Sequence, residues 1–213
     1  MQKKSLVIFI IMLLIMGNLS ARVNETVQLP DPQRTGGMPL FEALDNRQSA
    51  RSYSPQKLTM QQLSNLLWAA YGVNRDDGRR TAPSARNVQE FDIYLIMEDG
   101  WYVYDHTDHA LIRLGDEDLR EHAGSQEFVS TAPLNLIFVA DYDRMAGYSP
   151  ENSDFYSATD VGFISQNVYL FCASEGMATV VRGLVDRDLL RDVLNLRPSQ
   201  HVILGQTVGF PGN

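Results

Sequence analysis

Two arginines and a serine alternate along a short stretch of this sequence, at Arg47, Ser49 and Arg51. If the stretch is extended, alternate side chains point to the same side, so the two guanidinium groups and the hydroxyl converge. Guanidinium groups bind phosphate through paired, charge-assisted hydrogen bonds. The spacing suits a phosphate-binding clamp, although the spacing alone favours a solvated polar turn.

A second candidate is the loop 83–89, Pro-Ser-Ala-Arg-Asn-Val-Gln, directly before an apolar run that begins at Phe91. Small residues in such a loop let the backbone come close to a flat ligand. Asn87 and Gln89 carry both donors and acceptors, which suit the edge of a heterocycle. An ordinary surface loop is the alternative.

The third candidate combines a long predicted helix with the short strand that follows it. Asp160, Gln166 and Asn167 are polar positions in a largely apolar helix, and such groups need partners within the subunit or across an interface. The strand after the helix ends at Gly183. Ordinary helix packing would account for the same pattern.

Two histidines three residues apart, His106 and His109, lie next to Asp105 and Asp108. A metal site would need a third ligand and outer hydrogen bonds that orient the imidazole rings, and no neighbouring cluster supplies them. We therefore expect a solvated loop and no metal. The sequence also has no recognisable pair of carboxylates or activated nucleophile, so we expect no catalytic side chain.

The composition argues against several classes of protein. The chain has 213 residues, with 26 acidic against 18 basic side chains and a single cysteine. Non-specific nucleic-acid binding depends on clustered Lys and Arg, so we expect no nucleic-acid partner. One thiol, at Cys172, is too few for a disulfide scaffold or a Cys-ligated zinc centre, and we expect it to be a small buried helix residue.

The first 21 residues have the layout of a secretory signal peptide. Lys3 and Lys4 precede an apolar run over 6–16, and small or polar residues follow up to Ala21. The run is shorter than the roughly 20 residues that span a bilayer, so we expect no stable membrane insertion. The sequence predicts cleavage near Ala21 and a periplasmic or secreted product. Residues 22–38 are predicted to form an extended arm.

Strands and helices alternate along the rest of the chain without a βαβ glycine fingerprint, which indicates one α+β domain over 39–213. The predicted helices are 39–46, 59–72, 154–175 and 186–194, and the predicted strands are 91–97, 101–104, 111–112, 134–140, 177–181 and 201–210. The long helix is apolar around most of its circumference. We therefore expect it to be buried on more than one side, in a core or between subunits.

Taken together, these segments resemble the FMN-dependent nitroreductase superfamily, and within it the branch that includes the dehydrogenases of azoline-forming peptide modification. The resemblance rests on Arg-x-Ser-x-Arg-x-Tyr at 47–53, Pro-Ser-Ala-x-Asn-x-Gln at 83–89 and Asp-Val-Gly at 160–162. It continues through Gly-Met-x-Thr-Val at 176–180 to Val-Gly-Phe-Pro at 208–211, and so covers most of the predicted domain.

The resemblance implies a nitroreductase-like fold: a mostly antiparallel central sheet flanked by helices, with the long helix at a homodimer interface. It implies FMN as the cofactor, in a site that exists only in the homodimer. The implied cofactor-binding residues are Arg47, Gln48, Ser49, Arg51, Pro83, Ser84, Ala85, Asn87, Gln126, Val181, Arg182 and Gly183.

Each segment has an implied role in that site. Arg47 and Ser49 would hold the FMN phosphate, while Arg51 would reach the ribityl chain and the N1/O2 edge of the ring. The loop that begins at Pro83 would come from the second subunit and pack against the isoalloxazine ring. The backbone of 181–183 would lie near the N5/O4 edge.

The implied activity is that of an FMN-dependent oxidoreductase, with hydride passing through flavin N5 from a small-molecule donor to an acceptor such as a nitroaromatic or a quinone. Two departures from the family's sequence pattern favour other functions. Many family members carry a further Lys or Arg where this sequence has Gly212-Asn213, and Arg86 stands where the loop usually has a small residue. The alternatives are a flavin-binding or degenerate dimeric module without turnover, and a structural domain that has lost the cofactor.

Overall fold

Seven antiparallel strands form one sheet in the computed structural model, which describes residues 25–212. The strands are β1 Thr26–Gln28, β2 Phe91–Met97, β3 Gly100–Asp105, β4 Ala110–Gly115, β5 Leu134–Asp141, β6 Ala178–Arg182 and β7 Gln200–Gly209. Their spatial order is β1-β4-β3-β2-β5-β7-β6, which leaves β6 as an edge strand. The predicted α+β class with an antiparallel sheet is confirmed. The predicted signal peptide lies outside the described residues.

Five helices accompany the sheet within the described residues: α1 Leu40–Asn46, α2 Met60–Tyr71, α3 Glu127–Thr131, α4 Pro150–Ser174 and α5 Arg187–Val193. The start of α2 is fixed by a capping box, because the Gln62 backbone N–H donates to Thr59 Oγ1 and the Thr59 N–H donates back to Gln62 Oε1. This is the cap that the sequence predicts. None of the helices within 25–212 is both long and apolar enough to cross a membrane.

The long helix α4 has well-defined ends. Ser149 accepts a hydrogen bond from the Asn152 N–H, and Pro150 occupies the first turn, so the helix begins four residues before the predicted start at 154. At its other end Gly176 adopts φ +65°, and the Met177 N–H donates to the Cys172 carbonyl at 2.8 Å. This is a Schellman termination, which depends on a residue that tolerates left-handed backbone.

Both faces of the sheet are buried because alternate side chains of its central strands face opposite layers. On one face, Ile93 and Leu95 of β2 belong to a core shared with α2 and α4. On the other face, Tyr94 and Ile96 of the same strand pack in a second core with α3 and α5. Cys172 of α4 is 1% exposed, which confirms the prediction that it is a small buried residue.

The arm predicted over 22–38 is in part a strand. β1 pairs with β4, with Val27 opposite Leu111, and Leu29 is buried in the core. The sequence does not reveal this because a three-residue edge strand has no measurable period. The arm therefore closes the sheet at the end opposite to β6.

Candidate functional site

The stretch 47–51 follows α1 and runs beside the free edge of β6. The Ala50 N–H donates to the Thr179 carbonyl at 2.9 Å, which holds the stretch against that edge. Gln48, Ser49 and Arg51 are exposed and Arg47 is half-buried. A cavity of about 530 Å³ opens here, lined in part by Gln48, Ala50 and Thr179. The stretch is therefore accessible to a ligand along its length.

The Tyr169 hydroxyl joins two of the predicted segments. It lies 2.8 Å from Ser49 Oγ, and it accepts a hydrogen bond from the Val181 N–H at 3.0 Å. The Arg47 guanidinium lies over the same ring, 5.4 Å from its centroid. The structure thus brings 47–49 and the end of β6 together around one phenol. Sequence reasoning missed Tyr169, whose only signal was a polar-tipped residue in an apolar stretch of helix.

The end of β6 carries a buried positive charge. Arg182 is 3% exposed, and its side chain donates to Thr207 Oγ1, to the Ala123 carbonyl and to Asn135 Oδ1. Burial lowers the pKa of Arg182 to about 10, which still leaves it charged at neutral pH. All three partners are uncharged acceptors. The next residue, Gly183, is exposed on the free edge.

Gln126 lies at the N-cap of α3, in a loop that Arg182 holds through the Ala123 carbonyl. Its Oε1 atom is buried and has no hydrogen-bond partner among residues 25–212. An unpaired buried acceptor costs free energy, so it calls for a donor from outside the described chain. A ligand that donates a hydrogen bond to Gln126 Oε1 would satisfy this acceptor, so the predicted contact between Gln126 and a ligand is compatible with the structure.

The loop 83–89 folds as a short 3₁₀ turn at Ala85–Asn87. Arg86, Asn87 and Gln89 all have positive φ, between +54° and +57°. The Ala85 N–H donates to Asp160 Oδ2 of α4 at 2.8 Å. The Arg86 guanidinium lies over a ring of this chain, that of Tyr148, 4.9 Å from the centroid. Pro83 is exposed and Ser84 is half-buried.

One chain does not bring this loop and the stretch 47–51 together. The loop is anchored on Asp160 and the stretch on Tyr169, nine residues further along α4. Nine helical residues correspond to about 13.5 Å along the axis and about two and a half turns, so the two anchors lie on opposite faces. The predicted residues thus form two separate half-sites in a single chain.

Comparisons with known proteins decide the family. The model of the Nitroreductase family matches residues 44–210. The chain belongs to the nitroreductase family. A protein of Methanocaldococcus jannaschii assigned as a nitroreductase is 33% identical over 181 residues, which cover 80% of this chain and 90% of that protein. The family predicted from the sequence is confirmed, and the azoline-related branch within it stays a prediction.

Solved structures of nitroreductases share the fold. The crystal structure of a protein assigned as a nitroreductase from Ralstonia eutropha JMP134 superposes with a TM-score of 0.84 at 42% identity, over 88% of this chain and 90% of that one. The NADPH-flavin oxidoreductase of Vibrio harveyi is a more distant relative, 29% identical over 114 residues, 48% of each protein. The nitroreductase-like fold expected from the resemblance is therefore confirmed.

The turn predicted at 106–109 is present, and Thr107 and Asp108 are exposed, but His106 and His109 are half-buried and have structural roles. His109 contacts Ser64 Oγ and Tyr104 OH through its two ring nitrogens, each at 2.8 Å. His106 contacts the Arg80 guanidinium, and burial lowers its pKa to about 4, so it is neutral at pH 7. Within 25–212 no three His, Cys, Asp or Glu side chains lie together as a metal site would require.

One face of α4 is uncovered in the single chain. Six exposed residues at helical spacing form this stripe: Phe155, Ala158, Thr159, Gly162, Phe163 and Gln166. Phe155 is 64% exposed, and Phe41 on the neighbouring helix α1 is 86% exposed. The sequence predicts that α4 is buried on more than one side; in a single chain the stripe faces solvent.

Proposed function

We propose that this protein is an FMN-dependent oxidoreductase of nitroreductase type that works as a homodimer. The observation that carries the proposal is the Tyr169 side chain, whose ring contacts Arg47 and whose hydroxyl contacts Ser49 and Val181 in one half-site. The complementary half-site, the loop 83–87, is anchored on the opposite face of the same helix. Two copies related by a twofold axis can pair each half-site with the other chain's complement.

The residues present fit an anionic flavin nucleotide. The half-buried Arg47 and the exposed Gln48, Ser49 and Arg51 would hold the phosphate end, since paired guanidinium groups suit phosphate. At the other end, the backbone of 181–183 would face the ring. The buried charge of Arg182 lies beneath that backbone and favours negative charge nearby.

Gln126 and the partner's loop would complete the site. Gln126 Oε1 needs a donor, which a flavin ring or its ribityl chain can supply. From the second subunit, Pro83, Ser84, Ala85 and Asn87 would pack against the ring. When bound, FMN would supply the redox chemistry, hydride transfer at N5 from a donor and then to an acceptor such as a nitroaromatic or a quinone.

The exposed stripe on α4 supports the dimer. Apolar and small residues at helical spacing allow close helix packing, and large exposed apolar surfaces commonly mark protein interfaces. The resemblance to the azoline-related branch, also part of the proposal, agrees with a dimeric site but does not identify the substrate.

The test is the visible absorption spectrum of the purified protein with and without added FMN, together with its mass by light scattering. A flavin spectrum on a particle of twice the chain mass supports the proposal. A colourless protein whose melting temperature does not change with FMN overturns it. Flavin that dithionite reduces but that neither NADPH reduces nor a nitroaromatic or quinone reoxidises would favour the alternative, a binding module without turnover.

A variant of Arg47 tests whether this residue binds the phosphate of FMN. Arg47→Ala should raise the dissociation constant for FMN at least tenfold, about 1.4 kcal/mol, and leave that for riboflavin within about twofold, because riboflavin has no phosphate. Arg191→Ala, an exposed arginine on α5, is the matched control and should change neither value. Equal losses for FMN and riboflavin would contradict the assignment.

We also propose that the protein is exported, on the basis of Lys3, Lys4 and the apolar run over 6–16. Cell fractionation with N-terminal sequencing tests this. A periplasmic or secreted product that begins near residue 22 is expected, and a cytosolic protein with an intact N-terminus would overturn it.

A further inference from the structure

Two carboxyl groups lie buried side by side beneath the loop 83–89. Glu90 immediately precedes β2 and is fully buried, and Asp160 on α4 is 4% exposed. The two carboxyl groups are neighbours, and a proton on either one would let it donate to the other. Two ionised carboxylates can only accept hydrogen bonds, and neither Glu90 oxygen has a hydrogen-bond donor within 25–212.

A proton on Glu90 would remove the repulsion between the two carboxylates and supply a hydrogen-bond donor. Burial, and then the neighbouring Asp160, raise the pKa of Glu90 to about 7. Burial also raises the pKa of Asp160, but the Ala85 N–H and a hydrogen bond from Glu90 oppose that rise. Glu90 is therefore the protonated member, which donates, and Asp160 is the carboxylate, which accepts.

No nearby cation replaces this proton. The titratable or charged groups that face the pair are Tyr71, Tyr142 and Arg144, and Arg80 lies next to Tyr71. Arg80 lies over the Tyr71 ring, 4.1 Å from its centroid, and Arg144 binds Asp92 at 2.7 Å. The Tyr142 hydroxyl donates to Asp154. Each cation is thus engaged elsewhere, and neither donates to the Glu90 carboxyl.

The pair is joined to the loop by one hydrogen bond, from the Ala85 N–H to Asp160 Oδ2 at 2.8 Å. The three residues with positive φ, Arg86, Asn87 and Gln89, make this loop costly to hold, at roughly 1 kcal/mol or more each. A strained loop persists only where its surroundings fix it. Asp160 is such a fixing point, and Glu90 in turn orients Asp160.

We propose that Glu90 and Asp160 share one proton and act as positioning residues, which hold the loop 83–87 in the shape that the partner subunit's FMN site requires. The part that this pair plays in the FMN site rests on the proposed function, whereas its effect on the conformation of the loop does not.

The test is amide hydrogen exchange of residues 84–89 in the purified protein from pH 5 to 9, corrected for the intrinsic exchange rate at each pH. While the loop is held, the raised pKa keeps Glu90 protonated up to about pH 7. When the loop opens to water, the pKa of Glu90 returns to its ordinary value of about 4.5. The closed state thus binds more protons, so rising pH favours opening. Opening should increase by tens of fold between pH 5 and 7, roughly double again above pH 7 and then level off.

Glu90→Gln should abolish this pH dependence, because a neutral amide donates to Asp160 at every pH. Glu121→Gln, which alters an exposed carboxylate, is the control and should follow the unmodified protein. A pH-independent loop in the unmodified protein, or the same pH dependence in Glu90→Gln, would overturn the shared proton.

FMN titration tests the role in the site. Asp160→Ala removes the acceptor for Ala85 and should raise the dissociation constant for FMN about tenfold or more, whereas Glu90→Gln should stay within about twofold. Unchanged binding in a folded Asp160→Ala protein would overturn the role in the site. If the unmodified protein binds no FMN, the proposed function fails, and the exchange experiment still decides whether the pair holds the loop.

Discussion

At the scale of single residues, the candidate site depends on a tyrosine that contacts three residues from two other parts of the chain. Tyr169 is 7% exposed, so its hydroxyl has little access to water and relies on Ser49 and the Val181 N–H for its hydrogen bonds. Because these partners come from different segments, the hydroxyl sets the distance between them.

Tyr169→Phe removes the hydroxyl and keeps the ring. It leaves the Val181 N–H without its acceptor, so we expect a loss of about 1–2 kcal/mol in the free energy of unfolding. We also expect a weaker affinity for FMN, by about tenfold. Urea unfolding and an FMN titration measure the two effects.

Tyr156→Phe is the control, since Tyr156 lies on the same helix but its ring contacts Tyr148 and Phe155 instead. It should change neither stability nor FMN affinity appreciably. If Tyr169→Phe behaved like this control, the phenol would have no part in the half-site.

The sequence picks out the segments of the candidate site, but it does not reveal the contacts that link them. The alternation of Arg47, Ser49 and Arg51 marks a stretch that the structure places beside β6. Tyr169 and Glu90 could not be singled out, because each acts through a residue distant along the chain. Helical periodicity says that a position is buried, and it does not say which side chain it meets there.

At the scale of secondary structure, elements with strong caps are predicted well. The Thr59–Gln62 capping box and Gly176 mark helix ends that the structure confirms. The start of α4 was less accurate because its first turn is polar and adds nothing to the apolar pattern. Helix α3 has five residues, too few for a helical period to be visible in the sequence.

Gly176→Ala tests the end of α4. The left-handed backbone at φ +65° brings the Cβ of an L-residue too close to its own backbone, so we expect a loss of about 1 kcal/mol in unfolding free energy. Glu175→Ala, next to it with φ −97°, is the control and should change stability by less than about half of that. Thermal unfolding of both variants provides the comparison, and equal losses would contradict the explanation.

At the scale of the whole molecule, the proposed function places a second copy of the chain against the uncovered stripe, where the half-sites of the two chains would meet. The stripe contains Phe163, which is 45% exposed in a single chain. Burying such apolar side chains contributes about 25 cal/mol per Å² to association. In the proposed dimer, subunit packing and cofactor binding are therefore coupled.

Phe163→Arg should separate the subunits, because it places a charge in the middle of the stripe without disturbing the buried core. We expect the mass in solution to fall to that of one chain and FMN binding to be lost with it. Leu189→Arg, at a comparably exposed position on α5 (38%), is the control and should remain dimeric and bind FMN. A monomeric Phe163→Arg protein that still binds FMN would show that one chain suffices.

The opposite placement of Asp160 and Tyr169 also has a genetic consequence. In the proposed dimer, each site takes the stretch 47–51 from one chain and the loop 83–87 from the other. A chain damaged in the stretch and a chain damaged in the loop would each be inactive alone. A mixed dimer would unite both defects in one site and leave the other intact, so two recessive alleles of this gene should complement each other.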